Sequence, residues 1–229
     1  MCRMFGMAAS RPVSPRELLH EAPRSLRALS HEHGDGWGVA VRDADDWRVH
    51  RSTTGAARCA EFAALGALES QLVIAHVRKA TVGALSLANT HPFRRGRFVF
   101  AHNGTVPDVA ALVARSTPAR LAEIAGETDS ERLYAFVLTH VDDACEVARG
   151  ITAAVRALHA LGEVGSASFL VSCGARLYAH RLGRSLFTLT RGDVAMVASE
   201  RLTDEPWHEL PERALVVLDT ASPIAALAA

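Results

Sequence analysis

The chain has 229 residues, with 25 Lys+Arg against 25 Asp+Glu, so it carries no net charge and lacks the basic excess of a nucleic-acid footprint. At 49% hydrophobic and 22% charged it has the apolar surface for a sizeable core, which excludes global disorder. The four cysteines, Cys2, Cys59, Cys145 and Cys173, form no C-x-x-C pair, which argues against a zinc ribbon, a redox dithiol or a dense disulfide scaffold.

In chain order, residues 2–8 predict a short apolar strand, and no long apolar stretch follows Arg3 to make a signal peptide. Ser14-Pro15-Arg16-Glu17 has the pattern of a capping box with Pro at the first helical position, opening a helix across Leu18 and Leu19. Pro23 ends it and starts a second short helix through Leu29. Strands follow over 37–42 and 47–52, a helix over 56–69, and apolar strands over 72–77 and 97–101. Helices are predicted over 107–115, 118–125, 129–141 and 145–161. Strands then return over 166–173, 176–181, 185–190, 194–198 and 214–219. Strands at both ends with helices between predict one α+β domain over residues 1–229, its two sheets stacked and its helices outside. No run of 18 apolar residues reads as a membrane span, and the expected setting is the cytoplasm, with the cysteines reduced. Cys59, Cys145 and Cys173 are expected to be buried packing residues.

The chemistry-bearing residues gather at strand ends in the first 130 positions. Cys2 follows the initiator Met, which aminopeptidases remove before small residues, so the thiol can acquire its own base. An α-amine titrates near ~7.7–8.0, just below a free thiol at ~8.5, and can take its proton without a histidine partner. The plainer reading is an incidental buried cysteine. His31-Glu32-His33 lacks a nearby third metal ligand, and with Gly34, Gly36 and Gly38 it reads as a structured loop entering a strand. Arg78, at the mouth of a buried strand, suits either a forked grip on a carboxylate or a surface ion pair. Asn103-Gly104 offers a side-chain amide beside a main-chain N–H, two donors for one developing oxyanion, though Asn-Gly is also an ordinary turn. Thr128 and Asp129 precede a helix, where capping is the favoured local role.

Taken together, Met1-Cys2, Asp35-Gly36-Trp37-Gly38-Val39-Ala40, His76-Val77-Arg78-Lys79-Ala80-Thr81, Asn89-Thr90-His91-Pro92-Phe93, Phe100-Ala101-His102-Asn103-Gly104 and Glu127-Thr128-Asp129-Ser130-Glu131 resemble, in order and spacing, the class II glutamine amidotransferases of the N-terminal nucleophile hydrolase superfamily. The resemblance spans roughly residues 2–135 by motif. It implies a four-layer αββα sandwich of two mainly antiparallel sheets. It also implies that Cys2 is the nucleophile, with its freed amine as base, and that Asn103 and Gly104 form the oxyanion hole. Arg78 and Thr81 would hold the substrate α-carboxylate and Asp129 the α-ammonium, with His76, His91 and His102 as scaffold. No cofactor and no metal is implied. Val82 and Lys79 stand where several fused members have His and Trp, and the chain resembles the stand-alone members.

Three functional readings follow. The first is hydrolysis of glutamine to glutamate and ammonia, with the ammonia passed to a partner protein. The second keeps the chemistry but takes a larger γ-glutamyl compound, as in ergothioneine synthesis; Ala80-Thr81-Val82-Gly83 suits that subgroup. The third is a non-catalytic γ-glutamyl-binding module. None of the three involves nucleic acid or a membrane.

Overall fold

Alternation along the strands decides which side chains meet. The computed structural model describes the backbone of residues 2–227 and the side chains of residues 2–221. Its strands run β1 (Arg3–Val13), β2 (Trp37–Asp43), β3 (Asp46–Ser52), β4 (Ser70–Val77), β5 (Phe93–Arg95), β6 (Phe98–Thr105), β7 (Ser166–Ser172), β8 (Arg176–His180), β9 (Phe187–Arg191), β10 (Val194–Ala198), β11 (His208–Glu209), β12 (Leu215–Asp219) and β13 (Ser222–Leu227). The helices are α1 (Leu26–Leu29), α2 (Ala60–Ala64), α3 (Ala110–Val113), α4 (Pro118–Ala122), α5 (Asp129–Asp142) and α6 (Val147–Ala160). One sheet has the order β11-β9-β10-β1-β4-β2-β3 and the other β13-β12-β8-β7-β6-β5. Neighbouring strands are antiparallel throughout.

Between the sheets, Met4, Ala8, Ala40, Leu72 and Ile74 of the first meet Val99, Ala101, Leu170, Leu177 and Leu218 of the second. On the outer face of the first sheet, Phe5, Met7, Val39 and Val73 pack under Leu18, Leu19, Leu26 and Phe62. On the outer face of the second, Phe100, Phe169 and Tyr178 pack under Tyr134, Val137, Ile151 and Val155 of α5 and α6. The layers are therefore α, β, β, α, and burying each large side chain contributes about 1.5–3 kcal/mol. Helix α5 is buried almost all round because β6 lies on one side and α3, α4 and α6 on the others.

This architecture agrees with the sequence expectation, and the differences are local. Glu17 is drawn away to Arg191, while Ser14 Oγ accepts from Arg16 N at 3.2 Å, so a local turn replaces the capping box. The following segment, Glu17–Glu21, is a single π turn. The helix expected over 56–69 breaks where Cys59 is extended (φ −103°, ψ 117°), and short turns dock Ala56, Phe62 and Leu65 on the sheet instead. The helix expected over 107–115 narrows to α3, and the short strands β5, β11 and β13 were not anticipated. Cys145 is exposed and Cys59 and Cys173 are only partly buried, which corrects the expectation that all three are core residues. None of the described helices is long and apolar enough to cross a membrane.

Candidate active site

Arg3 pairs with Val77 in the β1–β4 ladder, so Cys2, one residue earlier, lies level with Arg78 and Lys79 just beyond β4. The partly buried thiol touches both edges of Lys79: Sγ donates to Lys79 O at 3.5 Å and accepts from Lys79 N at 3.4 Å. Burial pushes the thiol up, while the Lys79 main-chain bond and the positive charges of Arg78 and Arg3 pull it down. Met4, the next residue facing the same way as Cys2, points between the sheets, so the thiol lies at the rim of the inter-sheet layer.

From the other sheet, β6 turns Val99 and Ala101 into that layer, and alternation carries Asn103 to the same face. Asn103 is buried and its Oδ1 has no hydrogen-bond partner among the described residues. Gly104 is required by close approach: a Cβ there would lie 2.0 Å from Ser166 O on the adjoining strand. Strands β1 and β4 both contact β6, which brings the Cys2 rim towards the Asn103 rim.

Arg78 is buried, and its guanidinium grips the loop beyond it, with Nη1 donating to Ala84 O (3.1 Å) and Nη2 to Val82 O (3.0 Å) and Gly83 O (3.2 Å). The arginine is thus neither a surface ion pair nor aimed wholly outward. Thr81 is exposed on the loop that Arg78 gathers. The local expectation that Thr128 or Asp129 caps α5 is not met: Thr128 is the N-cap residue but makes no side-chain cap bond, and Asp129 is already the first helical residue. Instead Asp129 Oδ2 accepts from Val106 N at 2.7 Å, tying the start of α5 to the end of β6.

Several residues quoted only as motif members prove to join the motifs. Asn89 donates to Ala84 O (3.0 Å) and accepts from Glu127 N (2.8 Å), while Glu127 accepts from Ala84 N (3.2 Å). The buried Glu131 accepts from Ala125 N, Gly126 N and Arg95 Nη2. Asp35 accepts from Ala80 N at 2.8 Å, so the Asp35-Gly36 turn is clipped to the segment that touches the thiol. Order along the chain marked these residues, but their bonding partners lie up to 45 positions away and left no local signal.

The histidines divide by partner. His102 is held at both nitrogens, by Ser130 Oγ (2.8 Å) and Ser166 O (3.1 Å). His76 and His91 are buried with their rings 4.4 Å apart, and among the described residues the ring nitrogens of His76, His91 and the buried His33 make no hydrogen bond within normal geometry. Burial lowers His76 and His180 to about 3 and His33 to about 4, and pushes His91 well below its ordinary value. Unfolded, each titrates near 6.5, so between about 6.5 and 4 the unfolded chain holds more protons than the folded one. Stability is therefore complete above about 6.5 and is lost as the pH falls. Denaturant midpoints measured from pH 7.5 to 4.5 should decline with uptake of several protons per molecule unfolded, and a flat profile would contradict this assignment. Among the described residues, no group of three or more His, Cys, Asp or Glu side chains is arranged to hold a metal ion.

The family model for class II glutamine amidotransferases matches residues 1–193. The chain therefore belongs to the class II glutamine amidotransferases, enzymes of the N-terminal nucleophile hydrolase type. Within that family it is 32% identical, over 94% of its own length and 92% of the relative's, to a gamma-glutamyl-hercynylcysteine sulfoxide hydrolase of Mycobacterium tuberculosis. Its fold matches a glutamine aminotransferase class-II domain protein from Silicibacter pomeroyi at TM-score 0.71 and 20% identity, covering 99% of this chain and 98% of that one. It also matches the glutamine phosphoribosylpyrophosphate amidotransferase of B. subtilis at TM-score 0.76 and 18% identity, covering 99% of this chain but 49% of that one.

Proposed function

We propose that this enzyme hydrolyses a γ-glutamyl amide through a thioester on Cys2, and that the amine it releases is larger than ammonia. The observation that carries the chemistry is the Cys2 thiol at the rim between the sheets, against the Lys79 amide, with Asn103-Gly104 at the end of β6 in the facing sheet. Once Met1 is removed, the Cys2 α-amine takes the thiol proton and Sγ attacks the γ-carbonyl carbon. The carbonyl oxygen becomes an oxyanion held by Asn103 Nδ2 and the Gly104 N–H. Collapse of the intermediate breaks the C–N bond, and the amine leaves with the proton. Water then adds to the thioester, the C–S bond breaks, and glutamate and the free thiol are restored.

Asp129 spends Oδ2 on Val106 N and has Oδ1 to offer the substrate α-ammonium. Arg78 brings its charge to the α-carboxylate while holding residues 82–84, and Thr81, just before them, supplies a hydroxyl. Two ion pairs at one end of the substrate set the γ-carbonyl against the sulfur.

Two observations support the larger amine. The similarity to the mycobacterial hydrolase extends over nearly the full length of both chains. The loop beside Arg78 also exposes Val82, Leu85 and Leu87, apolar surface that ammonia does not need and a bulkier leaving group can cover. Steady-state kinetics on glutamine and on the γ-glutamyl amide of an S-alkylcysteine sulfoxide test the choice. The expected result is a kcat/KM at least about tenfold higher for the conjugate, within the span that a few apolar contacts produce. A clear preference for glutamine would return the reading to a glutamine amidohydrolase that feeds ammonia to a partner.

A further inference from the structure

Resting on Cys2 as nucleophile, we propose that the Lys79 main-chain N–H is the donor that steadies the Cys2 thiolate and that Asp35 is the positioning residue that aims it. A trans peptide is planar and turns its C=O and N–H in opposite directions. The Arg78–Lys79 peptide offers Arg78 O to Asp35 N (3.0 Å) on one edge and Lys79 N to Cys2 Sγ (3.4 Å) on the other. The next peptide repeats the arrangement, with Ala80 N on Asp35 Oδ2 (2.8 Å) and Lys79 O facing Cys2 Sγ (3.5 Å). One residue thus clamps the outer edges of two consecutive peptides whose inner edges hold the thiol.

The clamp is needed because β4 ends at Val77, so residues 79 and 80 have no ladder to hold them. Arg78 N donates to Gly36 O at 2.8 Å, which locks the Asp35-Gly36 turn in the same register. Gly36 permits this with φ +127°, and a Cβ there would lie 2.8 Å from Ser52 O. An N–H aimed at sulfur favours the charged form, and the thiolate is the attacking species.

The charged groups around the thiol are Arg3 from β1, Arg78 beyond β4 and, once Met1 is removed, the α-amine of Cys2 itself, while His33 nearby stays neutral above about 4. An effect of the Asp35 charge and an effect of its position therefore have opposite signatures. Removing a nearby carboxylate charge would move the thiol down in pH, whereas losing the Lys79 N–H would move it up.

The test is the rate of Cys2 alkylation by a γ-glutamyl diazoketone as a function of pH, with kcat and KM measured beside it. Asp35→Ala should slow alkylation and kcat by about 10- to 100-fold. It should also raise the pH midpoint of alkylation and change KM little. Asp35→Asn loses the charge but keeps an acceptor for Ala80 N, so it should recover most of the rate lost in Asp35→Ala, with an alkylation midpoint at or below that of wild type. Asp35→Glu keeps the charge but displaces the oxygen, and should resemble Asp35→Ala; it serves as the informative variant if Asp35→Ala does not fold. Equal behaviour of Asp35→Asn and Asp35→Ala, or an unshifted profile in Asp35→Glu, would overturn the positioning role. Wild-type protein that is not alkylated at Cys2 would instead remove the nucleophile assignment on which the proposal stands.

Discussion

Replacing Cys2 with Ala is expected to abolish release of glutamate from any γ-glutamyl amide. Loss of a covalent nucleophile costs on the order of 10⁶ in kcat where such losses have been measured, enough to reach the floor of an assay. Alanine is as small as cysteine, so removal of Met1 and exposure of the α-amine should continue, and the variant isolates the sulfur. The fold should persist, because the thiol is partly buried and its contacts are with the Lys79 main chain. Product release by the variant, measured alongside its melting temperature, checks the prediction. Activity above about a thousandth of wild type in a correctly processed Cys2→Ala protein would remove the thioester mechanism.

Asn103→Ala is expected to lower kcat by about 10²- to 10³-fold, the usual cost of one missing oxyanion donor, with KM little changed. Its stability should move the other way. Asn103 Oδ1 is buried without a partner among the described residues, and an unsatisfied buried acceptor costs about 1–3 kcal/mol. Truncation removes that atom, so the variant should melt at or above the wild-type temperature. A polar group kept at a cost to the fold is what a catalytic site demands. An Asn103→Ala protein with nearly normal kcat, or one that melts far below wild type, would mark Asn103 as an ordinary turn residue.

The layers of the fold were legible because periodicity reports burial directly. Phe5 and Met7 alternate with Met4 and Ala8, and the structure sends the first pair to the helices and the second to the other sheet. The break at Cys59 was not legible, since an Ala- and Leu-rich stretch satisfies helix propensity and only tertiary docking of Phe62 and Leu65 divides it. The site divides along the same line. Cys2, Arg78 and Asp129 stood out as reactive or charged groups at strand or helix ends, and Asn103-Gly104 as two adjacent donors at the end of a strand. What each one touches depends on distant pairing. Arg78 was expected to face a ligand, yet it also spends both terminal nitrogens on the loop carbonyls of residues 82–84. Asp129 read locally, with Thr128, as a helix cap and by resemblance as an ammonium ligand, and one of its carboxylate oxygens instead reaches Val106 N. Asp35 sat in a recognised motif and drew notice only for its neighbouring glycines, because its two bonds to residues 78 and 80 cross from one strand end to another.

An N-terminal thiol at Cys2 should form a covalent bond with γ-glutamyl carbonyl compounds. Intact mass of the purified protein, taken before and after exposure to a γ-glutamyl diazoketone, tests it most directly. The expected product is a chain lacking Met1 that gains one adduct, mapped by peptide sequencing to Cys2. Retention of Met1, an unmodified Cys2 in a processed chain, or an adduct confined to Cys59, Cys145 or Cys173 would contradict it and favour a γ-glutamyl-binding module without catalysis.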